Sequence, residues 1–214
     1  MSHSNLPLFK NLEPLMTFDE FSKLIGEVPG GVILLEGRRA IPAADAARAR
    51  ALARHLAISF PRLLFRSGNA EGADQAFSEG IAAIDPSRLQ IIAPYAGHRQ
   101  KDRYAGATYD SPASLTQVQE MEMVGKTAQA TPKNVRLLEK RGEKGPLGAK
   151  ADYLIRDTMK VVGCGERFPK PVFALFYVDL DDPSAGGTGH TIRVCQQEGV
   201  PYVFQDAWGR WVEE

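Results

Sequence analysis

Short apolar runs alternate with segments of helical periodicity along most of this chain. Val32-Ile-Leu-Leu-Glu36 is an aliphatic run closed by Gly37, the pattern of a strand buried on both faces. Leu63-Leu-Phe65 leads into Arg66-Ser67-Gly68, and Leu89-Gln-Ile-Ile-Ala93 is stopped by Pro94. The longest apolar run is Pro171 to Val178, and Val200 to Phe204 is the last. Five strands are therefore expected, starting near residues 32, 63, 89, 171 and 201. Between them, Ala49, Leu52, Ala53 and Leu56 share one helical face, as do Ala73, Ala76, Phe77, Gly80 and Ile81. Ala151, Leu154, Ile155, Thr158, Met159 and Val162 mark a strong helix, and Thr191 to Glu198 a shorter one closed by Gly199. Ahead of the first strand, Phe18, Phe21, Leu24 and Ile25 recur at helical spacing behind a possible cap, Thr17. Val28-Pro-Gly-Gly31 ends that stretch.

Strands alternating with helices predict an α/β fold: a doubly wound, mostly parallel, Rossmann-like sheet. Residues 95–146 break the rhythm. They are rich in Gly, Pro, Ser, Thr, Lys and Glu, and read as an inserted, partly helical segment with helical fragments near 115–125 and 132–141. The expected organisation is a helical extension over 1–30, a Rossmann-like domain over 31–206, and a tail over 207–214 that carries Trp208 and Trp211.

Composition narrows the classes. Hydrophobic residues make up 43% of the 214 and charged residues 24%, ordinary values for a globular protein. Lys plus Arg equals Asp plus Glu at 26 each, which removes a whole-chain electrostatic argument for nucleic acid and leaves only local patches. No apolar run approaches the roughly 20 residues of a membrane helix, and no signal peptide is visible. Cys164 and Cys195 form no metal or redox spacing, so a reducing, cytoplasmic setting is expected, with no metal site.

Ligands of parallel sheets bind beyond the carboxyl ends of the strands, so the residues following each strand carry the chemistry. Gly37-Arg38-Arg39 follows the first strand. Ser67-Gly-Asn-Ala-Glu-Gly-Ala-Asp74 follows the second, and Pro94-Tyr-Ala-Gly-His-Arg99 the third. Asp179 and then Ser184-Ala-Gly-Gly-Thr-Gly-His-Thr191 follow the fourth. Glycines admit an anion to backbone N–H groups, a helix N-terminus attracts it, and arginine binds phosphate through two donors. The candidate ligand-binding set is Gly37, Arg38, Arg39, Ser67, Gly68, Asn69, Gly72, Tyr95, Arg99, Gly186, Gly187, Thr188, Gly189 and Thr191. Neither loop has the dinucleotide or Walker A spacing. The same glycines also suit plain helix-packing turns, and Arg38 and Arg39 also suit a solvated surface.

Ser67-Gly-Asn-Ala-Glu-Gly-Ala-Asp74 resembles the Ser-Gly-x-Ala-x-Gly-(Ile/Ala)-Asp signature of the SLOG superfamily. That superfamily joins the DNA-processing protein A (DprA/Smf) group, the LOG cytokinin-activating group and other Rossmann-like nucleotide-binding proteins. Gly186-Gly-Thr-Gly-His-Thr191, followed by a helix and Gly199-Val-Pro201, resembles its second glycine motif. The resemblance covers roughly residues 31–204 and implies a nucleotide or nucleotide-derived ligand at the strand ends. Gly37, Ser67, Gly68, Gly72, Gly186, Gly187, Thr188 and Gly189 match the loops that face phosphate or ribose. LOG enzymes carry a catalytic glutamate where this chain has Arg193, and no proline precedes Gly186. Both departures weigh against a LOG-type phosphoribohydrolase.

The acid–base candidates are Glu71, Asp74, His98 and His190. Asp74 equally suits the N-terminus of its own helix, and His190 a structural hydrogen bond. Asp152 and Arg156 have the spacing of a solvated helical ion pair. The expected function is binding of a nucleotide or nucleotide-derived small molecule, as a sensor or as a hydrolase of N-glycosidic or phosphate bonds. A DprA-like single-stranded nucleic-acid binder and a ligand-free interaction module are the alternatives. Family resemblance and the apolar surface of the N-terminal helix and two-tryptophan tail point to a homodimer.

Overall fold

The computed structural model describes residues 16–212, so the expected extension before residue 16 and the last two residues of the tail lie outside the described residues. Six parallel strands form one sheet: β1 Val32–Gly37, β2 Leu64–Ser67, β3 Leu89–Ile92, β4 Thr108–Asp110, β5 Phe173–Tyr177 and β6 Tyr202–Phe204. Their order is β4-β3-β2-β1-β5-β6. The chain winds outward from β1 to one edge, then returns to β1's other side with β5, so the strand order reverses between β1 and β5. This is the doubly wound, Rossmann-like arrangement that the alternating pattern predicts.

Period-two alternation assigns each strand's faces. Ile33 and Leu35 enter one core with Phe65, Ile91, Phe173 and Leu175. That core is covered by α1 Phe18–Gly26, α2 Ala43–Ser59, α3 Ala73–Ala82 and α8 Gln205–Trp208. Leu34, Ala174 and Phe176 face the other side. There they meet α4 Gln117–Ala130, α6 Pro146–Val162 and α7 Gly186–Glu198, with α5 Val135–Leu138 packed alongside. Glu36 follows Leu34 on this second face, which decides its partners below.

Thr17 caps α1 in a reciprocal box with Glu20, its hydroxyl accepting from the Glu20 N–H. The buried face of α1 puts Phe21 against Trp211 at 4.7 Å between ring centroids, stacked. Trp208 lies edge-on to Phe77, and its indole N–H donates to the Phe176 carbonyl. Much of the apolar surface of this helix and tail is thus covered within the chain, where the two pack on each other, while Leu24 stays exposed.

Residues 95–146 differ from expectation. They contain β4, the edge strand, as well as α4 and α5, so the segment extends the sheet and covers its second face. β4 escaped the apolar pattern because Thr-Tyr-Asp is polar, short and only half-buried. Among the described residues, no helix is long and apolar enough to cross a membrane.

Candidate functional site

Beneath the carboxyl edge of β1 and β2 lies a buried network of charges. Helical spacing puts Arg156, Asp157 and Lys160 on the face of α6 that meets the sheet. Lys160 Nζ reaches Glu36 Oε2 at 2.6 Å and Asp157 Oδ1 at 2.9 Å. Arg156 Nε lies 2.8 Å from Asp157 Oδ1, and its Nη1 donates to the Gly68 carbonyl at 2.6 Å. Thr191, on α7, donates its hydroxyl to Glu36 Oε1. Asp74 accepts the Gly37 N–H at 3.0 Å and, more weakly, the Ala70 N–H. The expected Asp152–Arg156 surface pair does not form; Arg156 is buried, and Asp152 accepts from the Gly142 N–H.

Three carboxylates thus face two cations, all buried. Burial pushes Glu36 up to about 7 against the pull of Lys160. Burial also raises Asp74, partly offset by Lys160, Arg156 and the Gly37 N–H. It opposes ionisation of Asp157 too, but there Arg156 and Lys160 outweigh it and hold the carboxyl below its usual range. Asp74 sits in the first turn of α3, where a negative charge is favourable, and both of its oxygens are occupied by backbone donors.

This network joins the segments that the sequence singled out. Gly37, Gly68 and Gly187 lie against Asp74, Arg156 and Asp157, respectively. Their glycine character has a packing cause. A Cβ on Gly37 would lie 2.7 Å from the Ala73 Cβ, and one on Gly68 would overlap Arg156 Nη1. Gly72 has φ +83° and passes over the Arg39 backbone, where a Cβ would sit 2.7 Å from the Arg39 Cα. The second glycine segment is no loop. Gly186 to Gly189 form the opening of α7, and Gly189 lies against the Ser184 backbone. Gly186 and Gly187 are exposed and Thr188 is half-buried. Asp179, Asp181 and Asp182 precede this helix start, and Asp179 pairs with Arg38 at 2.7 Å across the ends of β1 and β5. An open concavity of about 480 Å³ lies beside that pair, lined by Arg38, Ala40, Ile41, Pro42 and Tyr177.

The four acid–base candidates are not brought into one catalytic set. Glu71 is exposed in the turn before α3. His190 is buried between Thr131 Oγ1, 2.7 Å from Nδ1, and Thr158 Oγ1, 2.9 Å from Nε2. Burial holds it down at about 4, so it is a neutral structural link between α4, α6 and α7. Arg193, in the position of the LOG glutamate, donates to Ala130 O, Ser184 O and Thr131 Oγ1.

His98 is different: it lies half-buried at the rim. Its ring is perpendicular to Tyr95 at 5.3 Å and to Tyr153 at 5.9 Å. Burial, then Arg156 and Arg99, lowers its pKa, while the Asn69 backbone works the other way. Arg156 lies 5.3 Å from the Tyr153 ring centroid, so this aromatic group joins the buried network. Arg99 pairs with Asp102 and donates to Gln75. Arg39 is exposed and acts electrostatically on Tyr153. Ser67 Oγ and Asn69 Nδ2, both buried, have no hydrogen-bond partner. The sequence pattern gives Arg156 only a solvated ion pair and does not mark Tyr153 or Lys160, because their helix precedes β5 and lies outside the loops that follow the strands.

No protein-family model matches the chain, and no curated protein sequence matches it. Among solved structures, it is similar to DNA processing protein A from Helicobacter pylori, a structure described for that protein's single-stranded DNA binding mode. The identity is 13%, the TM-score is 0.46, and the match covers 86% of this chain and 67% of that one.

Proposed function

We propose that this chain binds a nucleotide or nucleotide-derived ligand at the carboxyl edge of β1, β2 and β3, as a binding protein. The observation that carries this reading is the Ser67–Asn69 turn. It holds two buried polar side-chain atoms without partners, beside exposed Arg39 and half-buried His98. An unpartnered buried donor costs about 1–3 kcal/mol, so a shift of this turn that brings either group to a ligand's acceptor would recover that cost. Arg39 supplies positive charge for a phosphate. Binding is favoured over hydrolysis because Asp74 is buried and engaged by backbone N–H groups and His190 is locked between threonines.

A second reading is single-stranded nucleic acid. The aromatic rim is compatible with it, since Tyr95 is 48% exposed and open to a base within a strand. The test is thermal stabilisation by mononucleotides, dinucleotides and short oligonucleotides, with native mass spectrometry of freshly purified protein. A true ligand at 100 times its Kd stabilises by about 2.7 kcal/mol, or roughly 5–10 °C for a chain of this size. No shift with any of these, and no co-purified nucleotide, refutes the proposal. A shift with oligonucleotide that falls steeply with salt selects the second reading.

A further inference from the structure

We infer that Tyr95 and Tyr153, with His98 between them, form a stacking platform for an unpaired nucleobase, whose sugar–phosphate then lies toward Arg39. The inference rests on the nucleotide reading above and names the part of the ligand that this face takes.

Several independent observations converge there. The other aromatic contacts of the chain that involve tryptophan bury Trp208 and Trp211 almost completely. Tyr95 instead leaves 48% of its surface exposed on the ligand-binding edge of the sheet, and among the described residues His98 is its one ring neighbour. Both tyrosines meet His98 at near right angles, and Arg156 lies over the Tyr153 ring, so the face most open to a base is that of Tyr95. A base is a flat partner for such a face, whatever its identity. The platform is also held in place. His98 packs edge-on between the two tyrosines, and Arg156 braces Tyr153 from the buried network.

Backbone strain marks the same spot. Among the described residues, two that are not glycine have positive φ: Asn69 at 55° and Arg99 at 41°. They lie in the two loops that flank the platform, and such strain is retained where surrounding structure fixes it, often at ligand clamps. The unpartnered Ser67 Oγ and Asn69 Nδ2 belong to the first of these loops.

The test uses the purified full chain and four probes: adenosine 5′-monophosphate, ribose 5-phosphate, hexadeoxyadenylate and 2-aminopurine riboside 5′-monophosphate. Stacking predicts quenching of 2-aminopurine fluorescence and calorimetric binding of adenosine 5′-monophosphate well above that of ribose 5-phosphate. Tyr95→Ala should weaken adenosine 5′-monophosphate about 5- to 150-fold, the range set by one base–aromatic stack. Tyr95→Phe should stay within about 2-fold, because the ring and not the hydroxyl makes the contact. Tyr153→Ala, which removes the ring behind His98, should weaken binding by a smaller factor, and far-ultraviolet circular dichroism checks that each variant is folded. Tighter hexadeoxyadenylate binding with a salt dependence identifies the base as part of a strand, and tighter mononucleotide binding identifies a free ligand. Equal affinity for ribose 5-phosphate and adenosine 5′-monophosphate, or unchanged affinity in both alanine variants, overturns the platform while leaving a phosphate site standing. Binding of none of the probes overturns the nucleotide reading itself.

Discussion

Gly68→Ala measures how tightly the buried network is built into the strand-end turn. The added Cβ would overlap Arg156 Nη1 and lie 2.8 Å from Asp74 Oδ2. Arg156 has nowhere to retreat: its side chain is 7% exposed, and it is held by Asp157 at 2.8 Å and by the Gly68 carbonyl at 2.6 Å. Moving it forfeits a charge-assisted hydrogen bond of about 1.5–3 kcal/mol. It also leaves Asp157 less compensated, and breaking a buried pair costs about 3–5 kcal/mol in all. At about 2–4 °C per kcal/mol for a chain of this size, Tm should fall by roughly 6–20 °C. Gly187→Ala is the control. Its Cβ meets only Asp157 Oδ2, at 3.0 Å, and alanine gains about 1 kcal/mol over glycine in a helix, so its Tm should stay within about 3 °C of the parent. Differential scanning calorimetry of both variants decides. Equal melting of Gly68→Ala and the parent would refute the claim that Arg156 fills the space over Gly68. The control matters for ligand work as well, because lost nucleotide binding in a Gly68 variant would report the displaced arginine and not a phosphate cradle.

Two titrations oppose each other in the same pH window. Glu36, pushed from 4.5 to about 7, keeps in the folded chain a proton that the unfolded chain releases, so its contribution falls as pH rises from about 4.5 to 7. His190, pushed from 6.5 to about 4, refuses a proton that the unfolded chain accepts, so its contribution falls as pH drops from 6.5 to 4. Glu36→Gln should therefore expose a Tm that climbs more steeply with pH between 4.5 and 6.5 than the parent's, and parallel Tm–pH curves would contradict this. Trp211→Ala removes the stack on Phe21 and the indole bond to the Met16 carbonyl; a loss of about 3–5 kcal/mol in urea unfolding is expected, and a loss under 1 kcal/mol would show that the tail does not seal the core. Arg38→Ala breaks a pair whose side chains are 43% and 45% exposed. It should cost less than about 1 kcal/mol by the same assay, and a larger loss would mean that the pair clamps β1 to β5.

The sheet was legible where side chains are apolar on both faces. Val32–Leu35 and Phe173–Tyr177 lie in the middle of the sheet, and no amphipathic alternation was needed to place them. β4 was illegible because an edge strand of Thr, Tyr and Asp buries too little to leave a signal. The start of α7 misled for a related reason: glycines read as a loop, yet Gly189 is there because a side chain would strike Ser184. Glu36 looked like a polar end to an apolar run. Its burial became apparent only when α6 brought Lys160 to it from 124 positions along the chain, a pairing that no local pattern encodes.

That same network decides what the crevice offers a ligand. In a bare glycine turn, the space over Gly68 would be open to an anion. Here it is filled by a guanidinium, and that guanidinium is itself neutralised by Asp157. The charges of the floor are therefore compensated among themselves, and recognition of an anion passes to the rim. At the α7 end, the rim carries Asp179, Asp181 and Asp182, which repel phosphate despite the helix start. At the β2–β3 end, it carries Arg39 and the Tyr95–His98–Tyr153 rings. Among the described residues, charge unpaired with a carboxylate and exposed aromatic surface thus coincide at the β2–β3 end of the carboxyl edge. A nucleotide seated there would contact residues contributed by the loops after three strands and by α6, and would leave the second glycine segment to its packing role.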